Sequence, residues 1–243
     1  MGTGVYRHDN RRTSFLMATE IQPSSNAVAP QLRPGDRLTR DEFERRYHAM
    51  PDVKRAELIE GVVYMPSPVS NDCHGAPHAK LIGWLITYES HTPGVQVSDN
   101  ATVRLDWDNE PQPDALLRIV PKCGGQSRDE EGYIANGPEW VGEVAASSVS
   151  YDLHDKKEAY RRNGVREYLV WRVEDCAIDW FVLRGGSYEP LQPGDGGVYR
   201  SEVFPGLWLD AKALLAGNTR QVLDVLNTGI RSAEHQAFVG RFA

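Results

Sequence analysis

Three residues in the middle of this 243-residue chain have the types and the order that phosphoester chemistry uses. They are Asp114 after Pro113, Glu143 inside the apolar run from Trp140 to Ala146, and Lys156 in a helical pattern. An Asp ending one strand and a Glu on the next can share one Mg²⁺, and an ammonium close by can steady a water or a phosphate oxygen. Each residue also has a plainer reading. Asp114 can cap a turn, Glu143 can pair with an Arg, and Lys156 can be a surface lysine in an i, i+4 pair with Asp152. Glu143 weighs most, because a glutamate in a strand-like apolar stretch is almost never buried without a partner.

The elements that must position these residues follow from the surrounding pattern. Ala101–Leu105 alternates by side, Asp106–Gln112 is polar and rich in turn formers, and Pro113–Val120 is a short apolar run opened by a proline. Together they predict a hairpin with Asp114 near the start of its second, buried strand. Trp140–Ala146 reads as the next strand. Turn and capping residues from Ser147 to Asp152 then lead into a helix from about Leu153 to Arg162, stopped by Asn163-Gly164. On that helix Asp152, Lys156 and Tyr160 share a face, and Lys157 is turned about 100° away. Val165–Trp171 and Ala177–Leu183 read as two further strands. Strand, helix, strand implies a crossover within a mixed sheet, with the helix packed at its edge.

The segment from about Leu38 to Asp210 resembles the Uma-type restriction endonuclease family, a branch of the PD-(D/E)xK nuclease superfamily. The resemblance rests on an ordered series: Leu38-Thr-Arg-Asp-Glu-Phe43, Glu57-Leu-Ile-Glu-Gly61 with Met65-Pro-Ser-Pro68, His74, Pro113-Asp114, Gly142-Glu143-Val144, the Asp152, Lys156 and Tyr160 helix, Gly164-Val-Arg-Glu-Tyr168, and Phe204-Pro-Gly-Leu-Trp-Leu209. It implies an α/β fold, a restriction-endonuclease-like mixed β-sheet flanked by helices, here with extra C-terminal strands and short helices. It implies Asp114, Glu143 and Lys156 as catalytic residues. Asp114, Glu143 and Glu57 are then the metal ligands, Mg²⁺ or Mn²⁺ the cofactor, and DNA the partner. Ala145 stands where the superfamily's simplest motif puts its lysine, so that function moves to the helix. Ala146-Ser147 replaces the family's usual Ser-Pro, and Leu169 a usual Trp.

A magnesium ion that keeps several waters needs only two carboxylates and a carbonyl such as that of Val144. His74 and His78 lie i, i+4 on a helix expected from about Asp72 to Ser90, a zinc spacing without an evident third ligand; a structural role fits them better. Forty per cent hydrophobic residues suffice for one substantial core. The expected organisation is a flexible N-terminal arm over 1–34, a nuclease-like domain over 35–210, and a short helical tail over 211–243. The Phe15–Ala18 run is far too short to span a membrane, and three widely spaced cysteines fit a reducing cytoplasm. A formal net charge of −7 argues against a tight general nucleic-acid binder. Lys156, Lys157, Arg161, Arg162 and Arg166, with Arg7, Arg11 and Arg12, could still meet a phosphate backbone. Lys122–Gly132 reads as a long mobile loop without the spacing of a nucleotide-binding loop. In the tail, Val222, Leu223, Val225 and Leu226 make an apolar face that could close the fold or join a homodimer. Three functions remain open at this point: a metal-dependent DNA endonuclease, a catalytically quiet binding or regulatory module on the same fold, and a hydrolase of smaller phosphoesters.

Overall fold

The computed structural model describes residues 1–2, 29–65 and 70–242. Most of the expected N-terminal arm, with Arg7, Arg11 and Arg12, lies outside the described residues, as do Pro66–Pro68. At the arm's far end Leu32 is buried against Phe43, Ala56, Leu58 and Val63. Helix α1 (Arg40–His48) covers this small cluster with Phe43, its one buried side chain. Strands β1 (Glu57–Ile59) and β2 (Val62–Tyr64) pair as the expected first hairpin. Its two-residue turn, Glu60-Gly61, holds φ at 52° and 71°, the doubly left-handed turn whose twist matches paired strands.

Helix α2 (Ala76–Glu89) begins after a π-helical turn over Asn71–Gly75. The strands that follow are β3 (Val95–Asp99), β4 (Val103–Arg104), β5 (Ala115–Ile119), β6 (Arg128–Glu130), β7 (Tyr133–Ala135), β8 (Trp140–Ala145), β9 (Glu167–Arg172), β10 (Ala177–Arg184) and β11 (Ser187–Pro190). The central mixed sheet has the order β11-β10-β9-β8-β5-β3, with β8 and β9 parallel and its other pairs antiparallel. Strand β8 is buried along its whole length because both faces of the sheet are covered. Trp140 and Val144 pack with Leu81, Trp84 and Leu85 of α2, whereas Val141 and Ala145 pack with Tyr160, Val165 and Tyr168.

The partner of β5 corrects the hairpin expected from sequence: it is β3, not Ala101–Leu105. The 101–105 arm does fold back, with Val103 N–H on Pro111 O and Leu105 N–H on Asn109 O, but β4 pairs with β7 in a separate small sheet. Pro111 and Pro113 lack the N–H groups that would carry that ladder on into β5. Lys122–Gly132 is likewise not a plain loop. Arg128–Glu130 is a strand, and Glu139 accepts the Ile119 and Gln126 N–H groups at 3.0 and 2.9 Å, which pins the segment between them.

The helix after β8 starts four residues earlier than expected and is not uniform. Short α3 (Val149–Tyr151) passes through a π-helical turn over Asp152–Lys156 into α4 (Lys157–Arg162). It ends at Asn163 and Gly164, whose φ of 73° is the left-handed stop the sequence signals. It lies across a face of the sheet, with Leu153 and Tyr160 against Val141 and Val170 of the central strands, and not at the edge. At the C-terminus β12 (Val198–Arg200) pairs with β13 (Trp208–Asp210). Helices α5 (Ala211–Leu215), α6 (Thr219–Ile230) and α7 (Ala233–Val239) follow. Val222 and Leu226 are buried in the cluster that holds α2 and β8, so the tail's apolar face closes the fold.

Candidate active site

Strand parity brings the two expected acids together. Side chains alternate between faces along a strand. In β8, Glu143 therefore shares the side of Val141 and Ala145, toward Tyr160. At the mouth of β5, Asp114 shares the side of Leu116, which lies in that same cluster. The ladder pairs Ala115 with Gly142, and one more step sets Asp114 across from Glu143, where opposed Cβ atoms are about 5 Å apart. Asp114 N–H points at Glu143 Oε2 at 3.4 Å, and Asp114 Oδ2 accepts the Val144 N–H at 2.8 Å. Gly142 is required beside them, since a Cβ there would come within 2.5 Å of the Trp140 ring.

The helix supplies the cation. Lys156 is buried, and its Nζ lies 3.0 Å from Glu143 Oε1, 3.0 Å from Glu57 Oε1 and 3.8 Å from Asp152 Oδ1. Tyr160 OH donates to the same Glu143 Oε1 at 2.9 Å, which leaves Oε2 the freer oxygen. Glu57 also accepts the Gln112 N–H at 2.7 Å. Lys157 turns away, as its helix angle predicts, and its Nζ sits 3.5 Å from the centre of the Phe181 ring. Two other basic residues expected to surround the site are committed elsewhere: Arg161 binds Glu158 and Gly186 O, and Arg162 binds Glu60.

These side chains line one cleft of about 560 Å³. Its five carboxylates, Glu57, Asp114, Glu143, Asp152 and Glu174, face two cations, Lys156 and Arg55, a formal excess of three negative charges. Burial pushes the Glu143 carboxyl up to about 8 against the pull of Lys156, with Asp114, Asp152 and Glu57 adding to the rise. Burial also raises Asp152. For Lys156 burial works against the charge, but Glu143, Glu57 and Asp152 outweigh it and raise its pKa, so the ammonium persists. Among the described residues no three His, Cys, Asp or Glu side chains form a ready-made metal cage. Lys156 Nζ lies 3.0 Å from both Glu57 Oε1 and Glu143 Oε1. The carboxylates of Asp114, Glu143 and Glu57 are oxygen donors of the kind that suit a divalent ion that keeps most of its waters.

Sequence reasoning missed two residues here. Arg55 places Nη1 3.2 Å from Asp114 Oδ1 and donates through Nη2 to Gln112 O at 2.5 Å; it precedes β1 in a segment with no motif. Tyr151 also lines the cleft, with its ring 4.1 Å from that of Tyr64. His74, from the π-helical turn before α2, and His78, from α2, serve the acids. His74 Nδ1 meets Val144 O at 3.0 Å and its Nε2 lies 3.5 Å from Asp114 Oδ1, while His78 Nε2 reaches Asp114 O at 2.7 Å and Asp99 Oδ1 at 3.1 Å.

Comparison with known proteins gives a family model and solved structures. A family model named Uma2, described as "Putative restriction endonuclease", matches residues 40–212. A crystal structure described as "a putative nuclease belonging to DUF820", from Anabaena variabilis ATCC 29413, superposes with a TM-score of 0.54 at 17% identity, covering 74% of this chain and 98% of that one. At that identity the likeness speaks for the fold. No curated protein matches. Among the described residues no helix is long and apolar enough to cross a membrane.

Proposed function

The chain belongs to the Uma2 family, described as "Putative restriction endonuclease", and from that premise we propose that it is a Mg²⁺-dependent endonuclease that hydrolyses DNA phosphodiester bonds at the Asp114–Glu143 cleft. The observation that carries this reading is the convergence of Asp114 and Glu143 on facing positions of adjacent strands, with the Lys156 ammonium 3.0 Å from Glu143. Asp114 and Glu143 would hold the ion. When bound, Mg²⁺ lowers the pKa of a water and offsets charge that develops on the phosphate. Glu57 holds Lys156 from the side opposite Glu143 and adds to the negative field of the cleft. Lys156, kept charged in a dry wall, is a preorganised donor for the attacking water or a phosphate oxygen, the kind of group worth about 10² or more in rate. Arg55 at the mouth offers a planar guanidinium to the phosphate backbone.

The test is cleavage of plasmid and linear duplex DNA by the purified protein with Mg²⁺, with Mn²⁺ and with chelator, beside Asp114→Ala. We expect metal-dependent cleavage by the wild type and none by the variant. DNA binding without cleavage under every metal condition would replace this reading with a quiet binding module. Hydrolysis of a small nucleotide ester but not of DNA would redirect it to a smaller substrate.

A further inference from the structure

Tyr151 stands in the cleft wall with a hydroxyl that is buried and has no hydrogen-bond partner among the described residues. The hydroxyls of three nearby tyrosines are satisfied. Tyr64 OH donates to Asp155 Oδ2 at 3.2 Å, Tyr160 OH to Glu143 Oε1 at 2.9 Å, and Tyr168 OH to Asp152 O at 2.9 Å. A buried hydroxyl without a partner carries a desolvation penalty that native structures rarely leave uncompensated. The ring itself is packed at 4.1 Å and a tilt of 34° against that of Tyr64, with the Lys156 ammonium 5.4 Å from its centre.

The backbone explains how Tyr151 and Lys156 come to share a wall. In an α-helix, positions five apart point about 140° away from each other. The π-helical turn over Asp152–Lys156 carries i→i+5 hydrogen bonding, which brings such positions toward one face, and such turns are frequent at functional sites. The same turn carries Asp152 and Lys156 into the cluster. The Tyr151 hydroxyl is thus held beside the acid–lysine cluster and lacks only a partner that arrives with the occupant of the cleft.

We propose that Tyr151 is a positioning residue of the metal site, its hydroxyl hydrogen-bonded to a water that a bound divalent ion carries. This rests on the reading of the Asp114–Glu143 cleft as a divalent-metal site. Mg²⁺ keeps several waters when protein ligands are few. Outer-shell groups that orient its surroundings are commonly worth 10- to 100-fold in affinity.

The test is Tyr151→Phe, which keeps the ring and both of its contacts. Without metal the variant melts at or above the wild-type temperature, because no native hydrogen bond is lost. By calorimetric titration it binds Mg²⁺ roughly 10-fold more weakly, and the Mg²⁺-induced rise in its melting temperature shrinks to match. Equal Mg²⁺ affinity and an equal rise in both proteins would overturn the assignment. So would a lower melting temperature of the metal-free variant, which would mean that the hydroxyl has a structural partner. If the wild type itself bound no Mg²⁺, the metal reading of the cleft would fall and Tyr151's role with it. Wild-type binding with an indifferent variant would remove the Tyr151 assignment alone.

Discussion

Lys156→Ala is the most informative single substitution. The ammonium is the shared partner of Glu57 and Glu143 at 3.0 Å each and of Asp152 at 3.8 Å, and its side chain is 3% exposed. Removing one side of a buried ion pair typically costs about 3–5 kcal/mol, since the stranded charge has no solvent to turn to. We therefore expect urea denaturation of the metal-free variant at about pH 9, above the Glu143 value of about 8, to show a loss of about 4 kcal/mol. The loss shrinks as pH falls, because the stranded carboxyls take up protons. The cleft is also left more negative, so Mg²⁺ binds at least as tightly as in the wild type and restores part of the lost stability by linkage. Single-turnover cleavage nevertheless falls by about 10² or more. Lys157→Ala is the internal control. Its ammonium lies on the Phe181 ring, so it loses about 1 kcal/mol of stability and keeps its cleavage rate. A Lys156→Ala protein as stable and as active as wild type, or an inactive Lys157→Ala beside it, would refute the reasoning.

Three further outcomes follow from the same geometry. Asp114→Ala leaves the fold intact but abolishes metal-dependent cleavage and weakens Mg²⁺ binding, checked by titration calorimetry and a plasmid nicking assay. Arg55→Ala removes a guanidinium 3.2 Å from Asp114 Oδ1; relief of that charge competition tightens Mg²⁺ roughly fivefold, about 1 kcal/mol at the dielectric of a partly buried site, as calorimetry would show. Away from the cleft, burial, and then Glu44, push Glu110 up to about 9. A folded-state pKa above the unfolded one means stability is greatest at low pH and is lost as pH rises from about 4.5 toward 9. Glu110→Gln should remove on the order of 4 kcal/mol of the decline between pH 5 and pH 8, measured by urea titration across that range.

How much of this site was legible in the sequence depended on how local each signal is. Glu143 stood out because a lone charge in an apolar strand needs a reason, and the strand's period of two then fixed its face. Lys156 and Tyr160 were legible from helix spacing that leads into Asn163-Gly164, and the same spacing turned Lys157 away. Asp114 was correctly set at the mouth of a buried strand, but that strand's partner was misjudged. The alternating 101–105 arm pairs elsewhere, and nothing within it reveals that β3 lies nearer. Arg55 was invisible because its role arises from residues 59 positions away. Tyr151 was hidden for a different reason: a pattern read with α-helical spacing cannot anticipate a π-helical turn. The tail's apolar face was legible as a face, and only packing against α2 and β8 decided that it closes the fold.

The central claim is that Asp114 and Glu143 together hold a catalytic divalent ion, and the most direct test is an anomalous-scattering map from crystals soaked in Mn²⁺. The account predicts one strong peak in the cleft, within about 2.0–2.2 Å of a carboxylate oxygen of both residues, and its loss in Asp114→Ala crystals. A peak bound elsewhere, or an empty cleft at saturating Mn²⁺ in crystals that leave the cleft open, would contradict it.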